Sequence, residues 1–340
     1  MIHGGDIYRN AVSLDFSVNV NPLGIPVHAK QALMDAVGSC SQYPDPEMQR
    51  LRQAVSRMTG ARETQILLGN GASELFMAVV HALRPGKVVI PVPSFYGYEY
   101  AAGAVTERVL YYPMKQERGF LPDEEFLSVL DEETDLLFLA NPNNPTGKQI
   151  PPELLERILE HCHQKQIRVV LDECFIEFCE KEASMIARID QWDHLILVRA
   201  FTKIFAIPGV RLGYLVCADG KLLQKIGRQL PEWNVSSFAQ NAGLACAEET
   251  EFLQETVRYV REERAFLEAE LQNMGLTVWS GAANFLMIHT EAELYKLLLK
   301  QGLLVRDCSN FRGLSKGYYR LAVRTREENE RLLGVLKTVL

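Results

Sequence analysis

Over roughly the first two thirds of the chain, short apolar runs alternate with longer stretches whose apolar residues recur every three or four positions. The runs at 66–68, 87–90, 108–111, 136–139, 168–171, 195–198 and 213–216 are rich in Leu, Ile and Val, the pattern of strands buried on both faces. Between them, 72–83 and 151–164 repeat at helical spacing. The second stretch opens on Pro151 and Pro152, where a missing N–H costs no helical bond. This series predicts an α/β architecture: a mostly parallel seven-stranded sheet covered by helices on both sides. In such a sheet ligands gather at the carboxyl ends of the strands.

After residue 236 the pattern changes. A charged amphipathic stretch over 238–273 predicts one long helix, and apolar runs follow at 276–278, 284–288, 303–305 and 319–323, with helical stretches from 291 and at the end of the chain. These elements predict a smaller α+β domain. Residues 1–41 hold turn-rich pieces and one short helix, too little to fold alone, and are expected to pack on that second domain. The expected division is therefore 42–235 for a large domain and 1–41 plus 236–340 for a small one. A chain of 340 residues, 47% of them hydrophobic, can bury both cores.

Charge narrows the partners. With 36 Lys and Arg against 43 Asp and Glu, the net charge of −7 gives nucleic acid or an anionic membrane no long-range attraction. No run approaches the roughly 18 apolar residues of a membrane span, and Met1 to Asp6 lack a basic stretch followed by an apolar one. The expected setting is the cytoplasm, without nucleic acid or membrane. Seven scattered cysteines, none spaced C-x-x-C, read as reduced thiols. His161-Cys162-His163 looks like a metal cluster, but adjacent helical positions point apart, so it is read as a solvated helix face and no metal is expected.

Candidate chemistry sits at the predicted strand ends. Gly69-Asn70-Gly71-Ala72-Ser73-Glu74 places small residues at a helix start, where free amides and the positive dipole end can cradle a phosphate. In Asn141-Pro142-Asn143-Asn144-Pro145-Thr146-Gly147, a stiff turn aims Asn144. Asp172 follows three apolar residues and, if buried, needs a cationic or protonated partner. Lys203 lies among Ile204, Phe205 and Ala206, company that lowers an amine's pKa and leaves it nucleophilic; Arg211 follows eight residues later.

The order and spacing of these motifs resemble the fold-type I enzymes that use pyridoxal 5′-phosphate. The likeness is to the class II aminotransferase group, which includes histidinol-phosphate aminotransferases and threonine-phosphate decarboxylases, and it covers nearly the whole chain. It implies an aspartate aminotransferase-like fold. It also implies Lys203 as the lysine that holds the cofactor and shuttles protons, Asp172 as partner of its ring nitrogen, Asn144 on its phenolic oxygen and Phe95 stacked on the ring. Gly71, Ala72, Ser73, Thr202 and Arg211 would hold the phosphate, with Tyr43 reaching it from the second subunit of a homodimer whose sites are shared.

Two departures stand out. Asp172-Glu173-Cys174-Phe175 replaces the usual Asp-Glu-Ala-Tyr, so a tyrosine hydroxyl near the phenolic oxygen is missing, and Ala200 stands where a hydroxyl residue commonly helps bind phosphate. For the substrate, the resemblance points to Arg306 and Arg320 as anchors of acidic groups, with Arg324 an extra positive charge. The opening His3-Gly4-Gly5-Asp6, with Asn19 and Asn21, is similar to the start of the decarboxylase branch, where this segment folds over the site. The expected activity is decarboxylation of L-threonine O-3-phosphate or a related phosphoamino acid for corrinoid synthesis. The alternative is an aminotransferase acting on histidinol phosphate or a related amino acid.

Overall fold

In a computed structural model of the protein, which describes residues 3–179 and 183–340, the seven apolar runs form one sheet. Its strands are β1 (Ile66–Gly69), β2 (Val88–Val92), β3 (Val109–Pro113), β4 (Leu136–Ala140), β5 (Arg168–Asp172), β6 (Leu195–Ala200) and β7 (Gly213–Cys217), in the order β1-β7-β6-β5-β4-β2-β3. β7 runs antiparallel to both of its neighbours, while the other pairs are parallel. Every residue of β4, β6 and β7 is buried. Period-two alternation splits the strands between two cores: Leu137, Leu139, Val169 and Leu171 face one, Leu136, Phe138, Val170 and Ile196 the other.

Helix α1 (Val27–Ala36) precedes this sheet. The second core is closed by α2 (Ala72–Leu83), which buries Leu75, Phe76, Val79 and Val80 on one stripe, and by α3 (Tyr96–Gly103). On the opposite side α4 (Pro152–Gln164) buries Leu155, Ile158, Leu159 and Cys162. Cys162 therefore faces the core, which corrects the reading of 161–163 as wholly solvated. His161 Nε2 meets the Leu130 carbonyl at 2.8 Å, and His163 is exposed.

The C-terminal part forms a four-stranded antiparallel sheet, β8 (Thr277–Trp279), β9 (Phe285–His289), β10 (Arg306–Asp307) and β11 (Tyr318–Ala322), in the order β10-β11-β9-β8. The expected single helix over 238–273 is instead α5 (Ser237–Cys246) and α6 (Thr250–Asn273). Ala239, Ala242 and Cys246 join the core that holds Leu51 and Val55, as does Val260 of α6, while farther along α6 Leu267 and Leu271 join that of the small sheet.

The run at 303–305 also divides. Leu303–Leu304 pairs in parallel with Leu14–Asp15, and past Val305 the chain moves into the small sheet as β10. Phe16 N–H donates to the Leu304 carbonyl (2.7 Å) and its own carbonyl accepts from Ala322 N–H (2.9 Å), so the N-terminal segment is stitched to the small lobe. Helix α7 (Arg326–Val339) closes the chain with Thr325 and Glu328 as a capping box. Among the described residues no helix is long and apolar enough to cross a membrane.

Candidate active site

A cavity of about 820 Å³ opens at the carboxyl ends of β4, β5 and β6, between the large sheet and the N- and C-terminal segments. Lys203 enters it from a single helical turn, Phe201–Ile204, directly after β6. Phe201, Ile204, Phe205 and Ile207 are buried around that turn. Burial, helped by the positive charges of Arg320 and Arg211, holds the Lys203 amine down at about 8. Asn21 fixes the turn from outside: its N–H donates to the Lys203 carbonyl (3.0 Å), and its amide donates to the Ile204 carbonyl (2.6 Å) and Thr256 Oγ1 (2.8 Å).

Asp172 is the last residue of β5 and is buried. The Tyr98 hydroxyl donates to Oδ2, and the Cys174 N–H donates to Oδ1 at 2.8 Å. Burial raises its pKa, with Tyr98 and Cys174 opposing. Among the described residues no Lys, Arg or His forms an ion pair with it. A buried acid facing a cavity in this way suits a protonated ring nitrogen.

The phosphate end is built at the start of α2. Gly71 caps that helix with φ +81° and no side chain caps the first turn, so the leading N–H groups and the dipole face the cavity. A Cβ at Gly71 would stand 2.5 Å from Arg211 Nη2, so the guanidinium lies directly over this backbone. Gly213, starting β7, lets that strand pass equally close: a Cβ there would lie 2.9 Å from the Ala72 nitrogen. Ala72, Ser73, Ala200 and Thr202 line the same wall.

Across the cavity, Arg306 and Arg320 are direct cross-strand partners on β10 and β11, and both are buried. Like charges facing each other in this way are unfavourable unless an anion lies between or near them. Arg320 donates through Nη1 to Asn144 Oδ1 and through Nη2 to the Ser17 carbonyl (2.7 Å), while its Nε has no partner. Burial and Arg306 lower its pKa to about 10. Arg306 Nη2 donates to Asn310 Oδ1 at 2.7 Å.

The N-terminal segment forms the roof. The His3 ring lies 6.2 Å from that of Phe95 and 6.0 Å from that of Tyr96. Gly4 is tight against Ser17, whose carbonyl would be 2.4 Å from a Cβ at position 4. Asn19 is buried and lines the cavity, and its Oδ1 has no hydrogen-bond partner. Gly97 lets the Phe95 ring fold back, since a Cβ there would meet ring carbon Cε1 at 2.3 Å.

The sequence-derived residues thus converge, with two exceptions. Tyr43 is 82% exposed, its ring lies tilted at 4.9 Å from that of Trp233, and it does not line the cavity of its own chain. Arg324 also lies outside the lining and instead pairs with Glu328 (2.8 Å) in the first turn of α7, which corrects its reading as a substrate ligand. Sequence reasoning gave no role to Tyr98, one of three tyrosines in a row of alternating positions, distinguished only by its inward helical phase. It gave Asn21 no role beyond belonging to the opening motif.

The sequence model of the family "aminotransferase class I and II" matches residues 12–336, and the chain belongs to that family. It is 37% identical to the threonine-phosphate decarboxylase of Salmonella typhimurium, over 99% of this chain and 96% of that protein. It is 32% identical to the adenosylcobalamin biosynthesis bifunctional protein CobDQ of Leptospira interrogans, over 96% of this chain and 38% of that one. The crystal structure of the histidinol-phosphate aminotransferase from Clostridium acetobutylicum superposes with a TM-score of 0.90 at 31% identity, covering 96% of this chain and 98% of that one. The fold is the aspartate aminotransferase-like fold, and the protein is an enzyme dependent on pyridoxal 5′-phosphate. The donor set fits that group: a buried acid with no ion-pair partner among the described residues, an uncapped helix start beneath an arginine, and an amine of lowered pKa in one cavity.

Proposed function

We propose that the enzyme decarboxylates L-threonine O-3-phosphate, or a closely related phosphoamino acid, to an aminopropanol phosphate and carbon dioxide in corrinoid synthesis. The observation that carries this reading is the pair of buried guanidiniums, Arg306 and Arg320, facing Lys203 under a roof made by His3 and Gly4. A substrate with two acidic groups satisfies both cations, and a bidentate contact suits either a carboxylate or a phosphate. The names of the Salmonella and Leptospira relatives support the same reading.

Pyridoxal 5′-phosphate, when bound, supplies an electron sink for the bond broken at the substrate α-carbon. Lys203 would hold it and return a proton from Nζ to the α-carbon after carbon dioxide leaves. Asp172 would keep the ring nitrogen protonated, Asn144 would donate to the phenolic oxygen, and Phe95 would cover the ring. Gly71, Ala72, Ser73, Thr202 and Arg211 would take the phosphate. Which α-carbon bond breaks depends on where Arg306, Arg320 and Asn19 hold the carboxylate, and the His3 roof excludes water.

The working unit in this proposal is a homodimer. Val27, Met34, Val37, Tyr43 and Trp233 are large apolar side chains left exposed on a single chain, at 79%, 62%, 63%, 82% and 44%. A second copy would cover them and bring Tyr43 to its neighbour's phosphate site. Seven cysteines scattered along the chain, none spaced C-x-x-C, fit a reducing, cytoplasmic setting.

A second reading is an aminotransferase, favoured by the likeness to the Clostridium structure. Purified enzyme incubated with threonine phosphate should release carbon dioxide stoichiometrically with substrate loss. Transfer of the amino group from histidinol phosphate to 2-oxoglutarate, without carbon dioxide from threonine phosphate, would establish the alternative.

A further inference from the structure

At the amino end of β6, the opposite end of that strand from the catalytic cavity, the structure brings together His163 from the last turn of α4 and the adjacent pair Asp193 and His194. One ligand-competent atom from each lies within 4.8 Å of the others. His163 Nδ1 is 3.6 Å from Asp193 Oδ1, and His194 Nδ1 is 3.7 Å from the same oxygen. None of the three lines the catalytic cavity.

The state of His194 makes this more than a chance cluster. Its residue is 4% exposed, and Nε2 lies 3.1 Å from the Leu159 carbonyl. A carbonyl can only accept, so Nε2 carries the proton and Nδ1 presents a bare lone pair. That Nδ1 is buried and has no hydrogen-bond partner. A ring nitrogen pointed at a carboxylate and a second imidazole, with its other nitrogen donating to a main-chain carbonyl, is the arrangement that holds a histidine ready for a cation. One positive charge borders the cluster: Arg168 Nη1 donates to the Asp193 carbonyl (2.8 Å), and its Nη2 lies 3.5 Å from Asp219, whose carboxylate offsets it.

We propose that His163, Asp193 and His194 form a binding site for a divalent transition cation of the zinc class, a staple between α4 and β6 separate from the catalytic centre. Two imidazoles and one carboxylate suit zinc, copper or nickel better than the hard cations magnesium and calcium. Ligand atoms around a tetrahedral ion at bond lengths of about 2.0–2.1 Å lie about 3.3 Å apart, so the group needs to contract by a fraction of an ångström along its two edges to Asp193 and by up to about 1.5 Å along the edge between the histidines. His163 and Asp193 can supply that movement, because their side chains are 59% and 70% exposed, while His194 stays fixed.

The test is titration of the cofactor-loaded enzyme with zinc chloride, read by calorimetry and by metal content after gel filtration. The expected result is one tightly held zinc per chain. His163→Ala and Asp193→Asn alter exposed residues that leave the core intact, and each should weaken the site by about 10–100-fold. His194→Gln should do the same, with its melting temperature in chelator reporting separately on folding. Zinc should raise the melting temperature of the parent protein and not of the variants. Absence of stoichiometric zinc in the parent, or equal zinc binding by the His163→Ala and Asp193→Asn variants, overturns the proposal.

Discussion

Lys203 is a strong base in an exposed setting and a modest one here, because burial beside Arg320 and Arg211 disfavours its charged form. The sign follows directly: a pKa lowered from 10.5 to about 8 leaves most of the amine neutral at pH 9, where an exposed lysine is about one-thirtieth neutral. Competitive acetylation of the cofactor-free protein, followed peptide by peptide, should show Lys203 reactivity rising with pH and levelling off past a midpoint near 8. Arg320→Ala should move that midpoint upward, since one of the opposing charges is gone. The same substitution should lower kcat/KM for a doubly acidic substrate by about 2–3 kcal/mol, on the order of 30–150-fold, through loss of a charge-assisted contact. Unaltered steady-state kinetics would remove Arg320 from the substrate site.

At the scale of elements, the cofactor pocket is a set of helix and strand ends held at close range by missing side chains. Gly71 shows this most clearly, since its φ of +81° disfavours a Cβ and the overlying Arg211 guanidinium has to shift to admit one. Gly71→Ala should cost about 1–2 kcal/mol in local backbone strain and displace Arg211. Equilibrium dialysis should show cofactor affinity weakened at least tenfold, with helical circular dichroism retained. The hand-over at Val305 is the counterpart on the substrate side. Leu303–Leu304 pairs with the N-terminal segment and Arg306–Asp307 with β11, which sets Arg306 opposite Arg320.

For the whole molecule, the exposed apolar residues around α1 carry the expected association. Val27→Glu combined with Met34→Glu places charge on the face proposed to be shared. Light scattering should find the parent protein at twice the chain mass of 38.4 kDa and the double variant shifted toward one chain. Cofactor should be held less firmly in the variant, because Tyr43 does not line its own cavity and would serve only across the interface.

Much of this protein was legible in one dimension, because a buried parallel strand and the residue at its carboxyl end are neighbours in the chain. Seven apolar runs announced the sheet, and Asp172, Asn144 and Lys203 follow directly from three of them. Other features depended on contacts between distant segments. The break between α5 and α6 falls at 247–249, where no glycine or proline marks it. Arg324 resembled its neighbours in sequence but was drawn to Glu328 by the cap of α7, and Tyr98 reaches Asp172 only because α3 packs on the sheet. His163 met Asp193 and His194 across thirty residues, where adjacent helical positions alone had suggested no site. Periodicity and local spacing determine which residues stand at a strand end. Which of them share a cavity is decided by the packing of elements whose faces complement one another at long range.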